Sequence, residues 1–157
     1  MTIGNLRPAT VLIDETAILH NVQHEVARLK KQTQLFAVVK ADAYGHGMLR
    51  VAHVAKAAGA SGFCVALLDE ALDLRAANYT EPVLVLGIVP SQYAAIAAAQ
   101  TVSLPLSSVD WLKQALPVLE AQPELPPLRL HIALDTGMGR IGFTDDTTLL
   151  DAVAFIQ

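Results

Sequence analysis

The feature that most constrains this chain is a regular alternation of short β-rich apolar runs with longer segments of helical period. That alternation marks repeated βα units around a parallel sheet. The β-rich runs fall at 10–13, 35–39, 63–66, 83–86, 102–104 and 128–134. Most lack polar/apolar alternation, as expected of strands covered on both faces. Helical periodicity occupies 15–31, 48–58, 68–77, 92–99, 109–121 and 147–156. In the first of these segments Ile18, Val22, Val26 and Leu29 share one stripe, and Asp14 or Thr16 can cap its start by accepting backbone N–H bonds. Gly59 is placed to stop the second helix and Ser108 to cap the fifth, while Pro117 is expected to kink or end the fifth. The fold class is α/β.

A parallel sheet of this kind either closes as an eight-stranded barrel or stays open with helices on both faces. A closed barrel takes roughly 250 residues, and this chain has 157. As a barrel it would therefore hold about the first five or six βα units, a partial (β/α)8 barrel without closure. The 53% apolar and 17% charged composition suffices for the core of one domain, and no linker divides residues 1–157. A net charge of -4, with eleven Lys and Arg scattered along the chain, argues against nucleic acid as a partner. The most apolar stretch, 83–99, is broken by Gly87, Pro90, Ser91 and Gln92, so neither a signal peptide nor a membrane span is expected. Cys64, the single cysteine, lies between Phe63 and Val65 and reads as a buried strand residue suited to a reducing cytoplasm.

The chemistry concentrates after the second β-rich run. Leu35, Phe36, Ala37, Val38 and Val39 deliver Lys40 to the C-terminal end of a strand, where parallel folds place their sites. Ala41, Asp42, Ala43, Tyr44, Gly45, His46 and Gly47 then turn into a helix. Burial between sheet and helices disfavours an ammonium and favours the neutral amine that a nucleophile toward a carbonyl must be. Gly45 and Gly47 permit close backbone approach, the next helix N-terminus offers N–H groups to a phosphate, and Tyr44 adds a hydroxyl. A lysine snorkelling from a strand end to solvent is the bland alternative.

The segment from Val38 to Gly47 closely resembles the cofactor-lysine signature of bacterial alanine racemases, in which the lysine carries pyridoxal 5'-phosphate covalently. Residues 9–14 resemble that family's opening strand, and Val65, Ala66, Asp69, Glu70 and Ala71 its next barrel turn. The resemblance runs from about Arg7 onward. It implies that Lys40 is catalytic and binds the cofactor, that Tyr44 contacts the cofactor, and that L-alanine and D-alanine interconvert to supply peptidoglycan synthesis. Lysine would handle the α-proton on the D-alanine side, and a tyrosine from the C-terminal β domain of a partner subunit the other. A homodimer is thus implied for the full-length protein, and the chain is expected to be an N-terminal barrel piece, doubtful as a racemase by itself.

A second motif follows the run 128–134: Asp135, Thr136, Gly137, Met138, Gly139, Arg140, Ile141 and Gly142. Its glycine spacing matches a dinucleotide fingerprint, but an arginine is unusual where a pyrophosphate must approach the backbone. The other reading is a loop that positions Arg140 to grip a carboxylate with its fork of donors. The motif resembles a second alanine racemase signature, whose arginine lies beside the substrate carboxylate, and that resemblance assigns Arg140 to substrate binding. Many members carry a lysine, carboxylated by carbon dioxide, two residues before the aspartate, where this chain has Ala133. A chloride or water network would then have to support the arginine.

Other residues read as structural. His20 and His24 lie one helical turn apart without a third ligand, so no metal site is expected. Asp69 and Glu70 read as dipole partners in a helix's first turn. Asp42 reads as a solvent-facing loop residue, His46 as a support of the turn through a side-chain hydrogen bond, and Trp111 as packing. The rival functions are a non-catalytic pyridoxal-phosphate-binding barrel protein and a racemase of another amino acid such as serine. The relatives of the first kind typically lack both the residues 43–47 extension and the glycine-arginine motif.

Overall fold

The computed structural model of the chain describes residues 8–156. Five parallel strands form one sheet: β1 (Phe36–Val38), β2 (Gly62–Val65), β3 (Val83–Val85), β4 (Val102–Leu106) and β5 (Arg129–Ile132). They lie in the sheet in chain order, without the reversal that marks a doubly wound fold. Successive right-handed crossovers without a reversal put every connecting helix on the same face. This is the arrangement of a barrel wall, and it decides between the two sheets the sequence allowed.

The helices are α1 (Glu15–Arg28), a turn α2 (Lys40–Gly45), α3 (Met48–Ala57), α4 (Leu68–Ala76), α5 (Ala94–Ala99), α6 (Val109–Glu120) and α7 (Asp146–Ile156), with a 3-10 turn at Ser91–Tyr93 leading into α5. Their caps follow the sequence: Asp14 accepts from Ala17 N at 3.0 Å and Ser108 from Trp111 N at 3.2 Å. Pro117 does not end α6, which runs on to Glu120. Proline there deletes a single ladder bond within the helix's last turn, where little remains to be broken.

Residues 10–13, expected as the first strand, pair with no strand among the described residues, and Val11 and Leu12 are 82% and 88% exposed. Apolar content alone makes no strand, because the conformation is held by a ladder partner. Among the described residues the sheet begins at β1 and holds five strands rather than six.

The core follows from register. Phe63, Val83 and Val102 are aligned across three strands and fully buried, and Val65 pairs with Val85 in the next row. They pack against Ala52, Ala55, Leu68, Ala71, Leu74 and Ala97 of the helices. The small alanines let the helices approach the sheet closely. Leu106, Leu112, Phe143 and Ala152 form a second cluster, and Trp111 touches both while its Nε1 donates to Val89 O at 2.7 Å.

The opposite face is covered only in part: Cys64 and Ser103 are buried there, but the two edge strands are open. Val38, Cys64, Leu84, Ser103 and Arg129 align across it, and Val38 is 43% exposed while Arg129 is open. Val38, Cys64 and Leu84 give this row an apolar half, as in the inward-facing layer of a barrel that side chains of the wall itself fill, and Ser103 and Arg129 are its polar members. Cys64 is buried as expected, and that burial pushes its thiol up from the ordinary value. At the N-terminal rim Arg75 donates to the backbone oxygens of Tyr79, Glu81, Gln100 and Thr101 at 2.8–3.2 Å. One guanidinium thereby ties the loops that precede β3 and β4.

Candidate active site

Lys40 follows β1 directly and lies at the C-terminal rim of the sheet, half-buried rather than enclosed between layers. The chain then does something the sequence did not announce. Ala41, Asp42, Ala43 and Tyr44 adopt φ of 51–55° and ψ of 36–52°, a complete left-handed turn made of residues that all carry Cβ. L-residues disfavour that region by roughly 1–2 kcal/mol each, so the turn stores about 4–8 kcal/mol and must be held from outside.

The restraints are specific. Glu70 Oε1 accepts from Ala41 N at 2.6 Å, Ala43 N donates to Val39 O at 2.9 Å, and Gly47 N donates to Asp42 O at 2.9 Å. His46 Nδ1 lies 3.0 Å from Ala43 O, and since a carbonyl only accepts, that ring nitrogen carries the proton. This is the supporting bond expected of His46. The left-handed turn places the Tyr44 ring under the amine, with Lys40 Nζ 6.0 Å from its centroid, and Tyr44 remains 62% exposed.

Two acidic residues do more than their sequence reading gave them. Asp42 faces solvent as expected, but its Oδ1 also accepts from Met48 N at 2.8 Å and caps α3. The first N–H of α3, expected to be free for a phosphate, therefore already faces a carboxylate. Glu70 is more than a dipole partner of α4, since its Oε2 accepts from Ala66 N at 2.7 Å and Leu67 N at 3.2 Å while Oε1 reaches the Lys40 turn. A glutamate three residues past a helix start is a capping signal in sequence. Its second contact, between residues 29 apart, carries no local signal.

Arg140 sits on the other edge of the sheet, in the loop after β5. Asp135 organises that loop: Oδ1 accepts from Gly137 N and Gly139 N at 3.0 Å, and Oδ2 from Arg140 N at 2.9 Å. These bonds hold the Asp135 carboxyl below the usual carboxylate range, those from Gly139 and Gly137 most of all. The loop closes where Asp135 N donates to Phe143 O at 2.9 Å and Phe143 N to Ala133 O at 2.8 Å. Gly142 makes the closure possible: at φ +128° a Cβ would lie 2.5 Å from Asp135 N. The glycines serve loop geometry. Arg140 is exposed and forms no ion pair among the described residues. Its backbone is anchored by Asp135, two residues beyond Ala133.

A hollow of about 490 Å³ lies along this half of the rim, lined by Leu84, Leu86, Pro105, His131, Asp135 and Arg140 among others. Lys40 follows β1 and Arg140 follows β5, so both stand at the C-terminal ends of parallel strands, at opposite edges of the wall. The structure brings Lys40 and Tyr44 together and places Arg140 apart from them in the sheet. No cluster of three or more metal-ligating side chains occurs among the described residues, and His20 and His24 are exposed on α1. No helix among them is long and apolar enough to cross a membrane.

Comparison with known proteins agrees with this geometry. A family model described as alanine racemase, N-terminal domain, matches residues 13–157. An alanine racemase of Lacticaseibacillus casei strain BL23 is 85% identical over 157 residues, covering 100% of this chain and 42% of the relative. The crystal structure of alanine racemase from E. faecalis superposes with a TM-score of 0.93 at 46% identity, over 100% of this chain and 42% of that one. A histidine racemase from Leuconostoc mesenteroides subsp. sake superposes with a TM-score of 0.80 at 37% identity, over 89% of this chain and 37% of that one. The chain thus spans about 42% of the length of the curated relatives it matches.

Proposed function

The chain belongs to the alanine racemase N-terminal domain family, and on that premise we propose that it is the N-terminal part of the barrel of a pyridoxal-phosphate-dependent racemase that interconverts L-alanine and D-alanine. The partial α/β barrel carries its candidate groups at the strand C-termini, where such folds do chemistry. The observation that carries the reading is Lys40, an amine at a strand end whose following turn is held in a strained conformation by Glu70, Asp42 and His46. Strain of this size, retained at one strand end, fits a group that must be aimed.

The residues fit the cofactor. A half-buried primary amine can bond the aldehyde carbon, the exposed Tyr44 hydroxyl can donate to a phosphate, and Gly45 has nothing within 4 Å of where a Cβ would stand. The α3 N-terminus contributes less than its dipole suggests, because Asp42 occupies it. When bound, pyridoxal phosphate supplies an electron sink for the negative charge left on Cα. With the substrate amine in its place at the aldehyde carbon, the released Lys40 Nζ would hold and return the α-proton on the D-alanine side. Racemisation needs a second base on the opposite face, and the family resemblance assigns it to a tyrosine of the β domain of a partner subunit. Arg140, free of ion pairs among the described residues, offers two parallel N–H donors to the substrate carboxylate. The working unit is a homodimer in the cytoplasm, where Cys64 stays reduced, and its D-alanine supplies peptidoglycan synthesis.

The test is reduction of the intact protein with borohydride in the presence of pyridoxal phosphate, followed by peptide mapping. The expected result is one pyridoxyl group on Lys40. Modification at any other lysine refutes the assignment. A second reading, racemisation of a different amino acid, draws on the similar histidine racemase structure. Assay of a panel of L-amino acids for D product separates the two, with alanine expected to be turned over fastest.

A further inference from the structure

We propose that Glu70 is a positioning residue for Lys40, clamping the peptide that follows the lysine to the neighbouring βα loop. The proposal rests on the reading of Lys40 as the cofactor-bearing amine. Its basis is one carboxylate shared by three backbone donors from two loops. Oε1 accepts from Ala41 N at 2.6 Å, beyond β1, and Oε2 accepts from Ala66 N at 2.7 Å and Leu67 N at 3.2 Å, beyond β2.

A capping role for α4 accounts only for the second oxygen. The bond from Ala41 spans 29 residues and contributes nothing to α4. It falls instead on the first left-handed residue, φ 51°, where the chain leaves Lys40. Without that anchor the strained turn can relax at its start, because each L-residue that leaves the left-handed region sheds the steric clash of its Cβ. Holding Ala41 N fixes the plane of the Lys40–Ala41 peptide, and so the direction from which the lysine side chain departs. The far end of the turn has its own anchor, the Asp42 bond to Met48 N. Glu70 is therefore the side-chain restraint that acts on the residue next to Lys40, and it is itself half-buried.

Glu70→Gln keeps the shape but leaves one acceptor oxygen and two N–H donors. Either Ala41 or Ala66 then faces a donor instead of an acceptor. In the intact protein with pyridoxal phosphate, the expected result is that borohydride still marks Lys40, while kcat falls about ten- to a hundred-fold, as for a displaced reacting group. KM for alanine should change by less than about threefold, the signature of lost alignment rather than lost substrate binding. The pH profile of the lysine–cofactor absorbance should shift as well, which a loss of stability alone does not produce. Asp69→Asn, next to it in sequence and exposed, serves as the control and should leave all four readouts unchanged.

A folded Glu70→Gln enzyme with the unmutated kcat and the unmutated absorbance profile overturns the proposal. Should the variant fail to fold, hydrogen exchange in the unmutated protein decides: slow exchange at the exposed Ala41 amide supports the clamp, and exchange at the free-peptide rate overturns it. Failure of the underlying cofactor reading is recognised separately, since the unmutated protein would then give no adduct at Lys40 at all.

Discussion

Glycine placed in the turn after Lys40 tests whether that turn is left-handed. In a right-handed helix each Ala→Gly change costs about 1 kcal/mol. At Ala41, with φ 51° and ψ 52°, the sign should reverse. Glycine enters the left-handed region without the penalty of about 1–2 kcal/mol that an L-residue carries. It gives back roughly 0.4–1 kcal/mol through the freer unfolded chain. Ala41 is exposed, so no packing is lost, and Ala41→Gly should stabilise by about 0–1.5 kcal/mol. Ala43 has the same backbone but is only 4% exposed. There the buried methyl is worth about 0.8 kcal/mol, so Ala43→Gly should be the poorer of the two by that amount. Urea unfolding of the intact protein, followed by circular dichroism, reads the difference. With a denaturant slope of about 1–3 kcal/mol per molar, a gain of 1 kcal/mol raises the midpoint by roughly 0.3–1 M. If both variants instead lose about 1 kcal/mol, the turn is right-handed and the strain argument collapses.

Further predictions concern the second loop and the core. Gly142→Ala forces a Cβ to 2.5 Å from Asp135 N at φ +128° and should cost about 2 kcal/mol or more; with the loop displaced, KM for alanine should rise in steady-state assays. The Asp135 carboxyl is held below its ordinary value by backbone N–H bonds. Its contribution to loop order is complete above the usual aspartate range near 3.9 and is lost as pH falls through the lower folded value. Carbon-detected NMR of the Asp135 carboxyl should give a midpoint below about 3.9, and one at or above that value contradicts the bonds from Gly137, Gly139 and Arg140 N. Leu74→Ala, at a fully buried position, should destabilise by about 2–5 kcal/mol, read as a lowered thermal midpoint. Ser108→Ala removes the cap on Trp111 N and should cost about 1 kcal/mol by the same measurement.

Much of this was legible from residue order. The parallel α/β class, the caps at Asp14 and Ser108 and five of the six expected strands follow from periodicity and turn chemistry, which are local properties. Lys40, Tyr44 and Arg140 stood out because a strand end, a glycine-bracketed turn and an arginine-bearing loop are written in contiguous residues. Residues 10–13 misled for the opposite reason: an apolar β-branched run states a preference, while a strand requires a partner that another part of the chain must supply.

What the sequence by itself determined is therefore the order of βα units and the identity of the groups carried at their ends. The tertiary structure decided that the sheet runs in chain order with one face only partly covered, that four L-residues after Lys40 are left-handed, and that Glu70 joins two loops through a contact between residues 29 apart. Those outcomes depend on which backbone donors meet which carboxylates once the strands are in register. A left-handed run of alanine, aspartate, alanine and tyrosine has no propensity of its own and exists because distant groups hold it there.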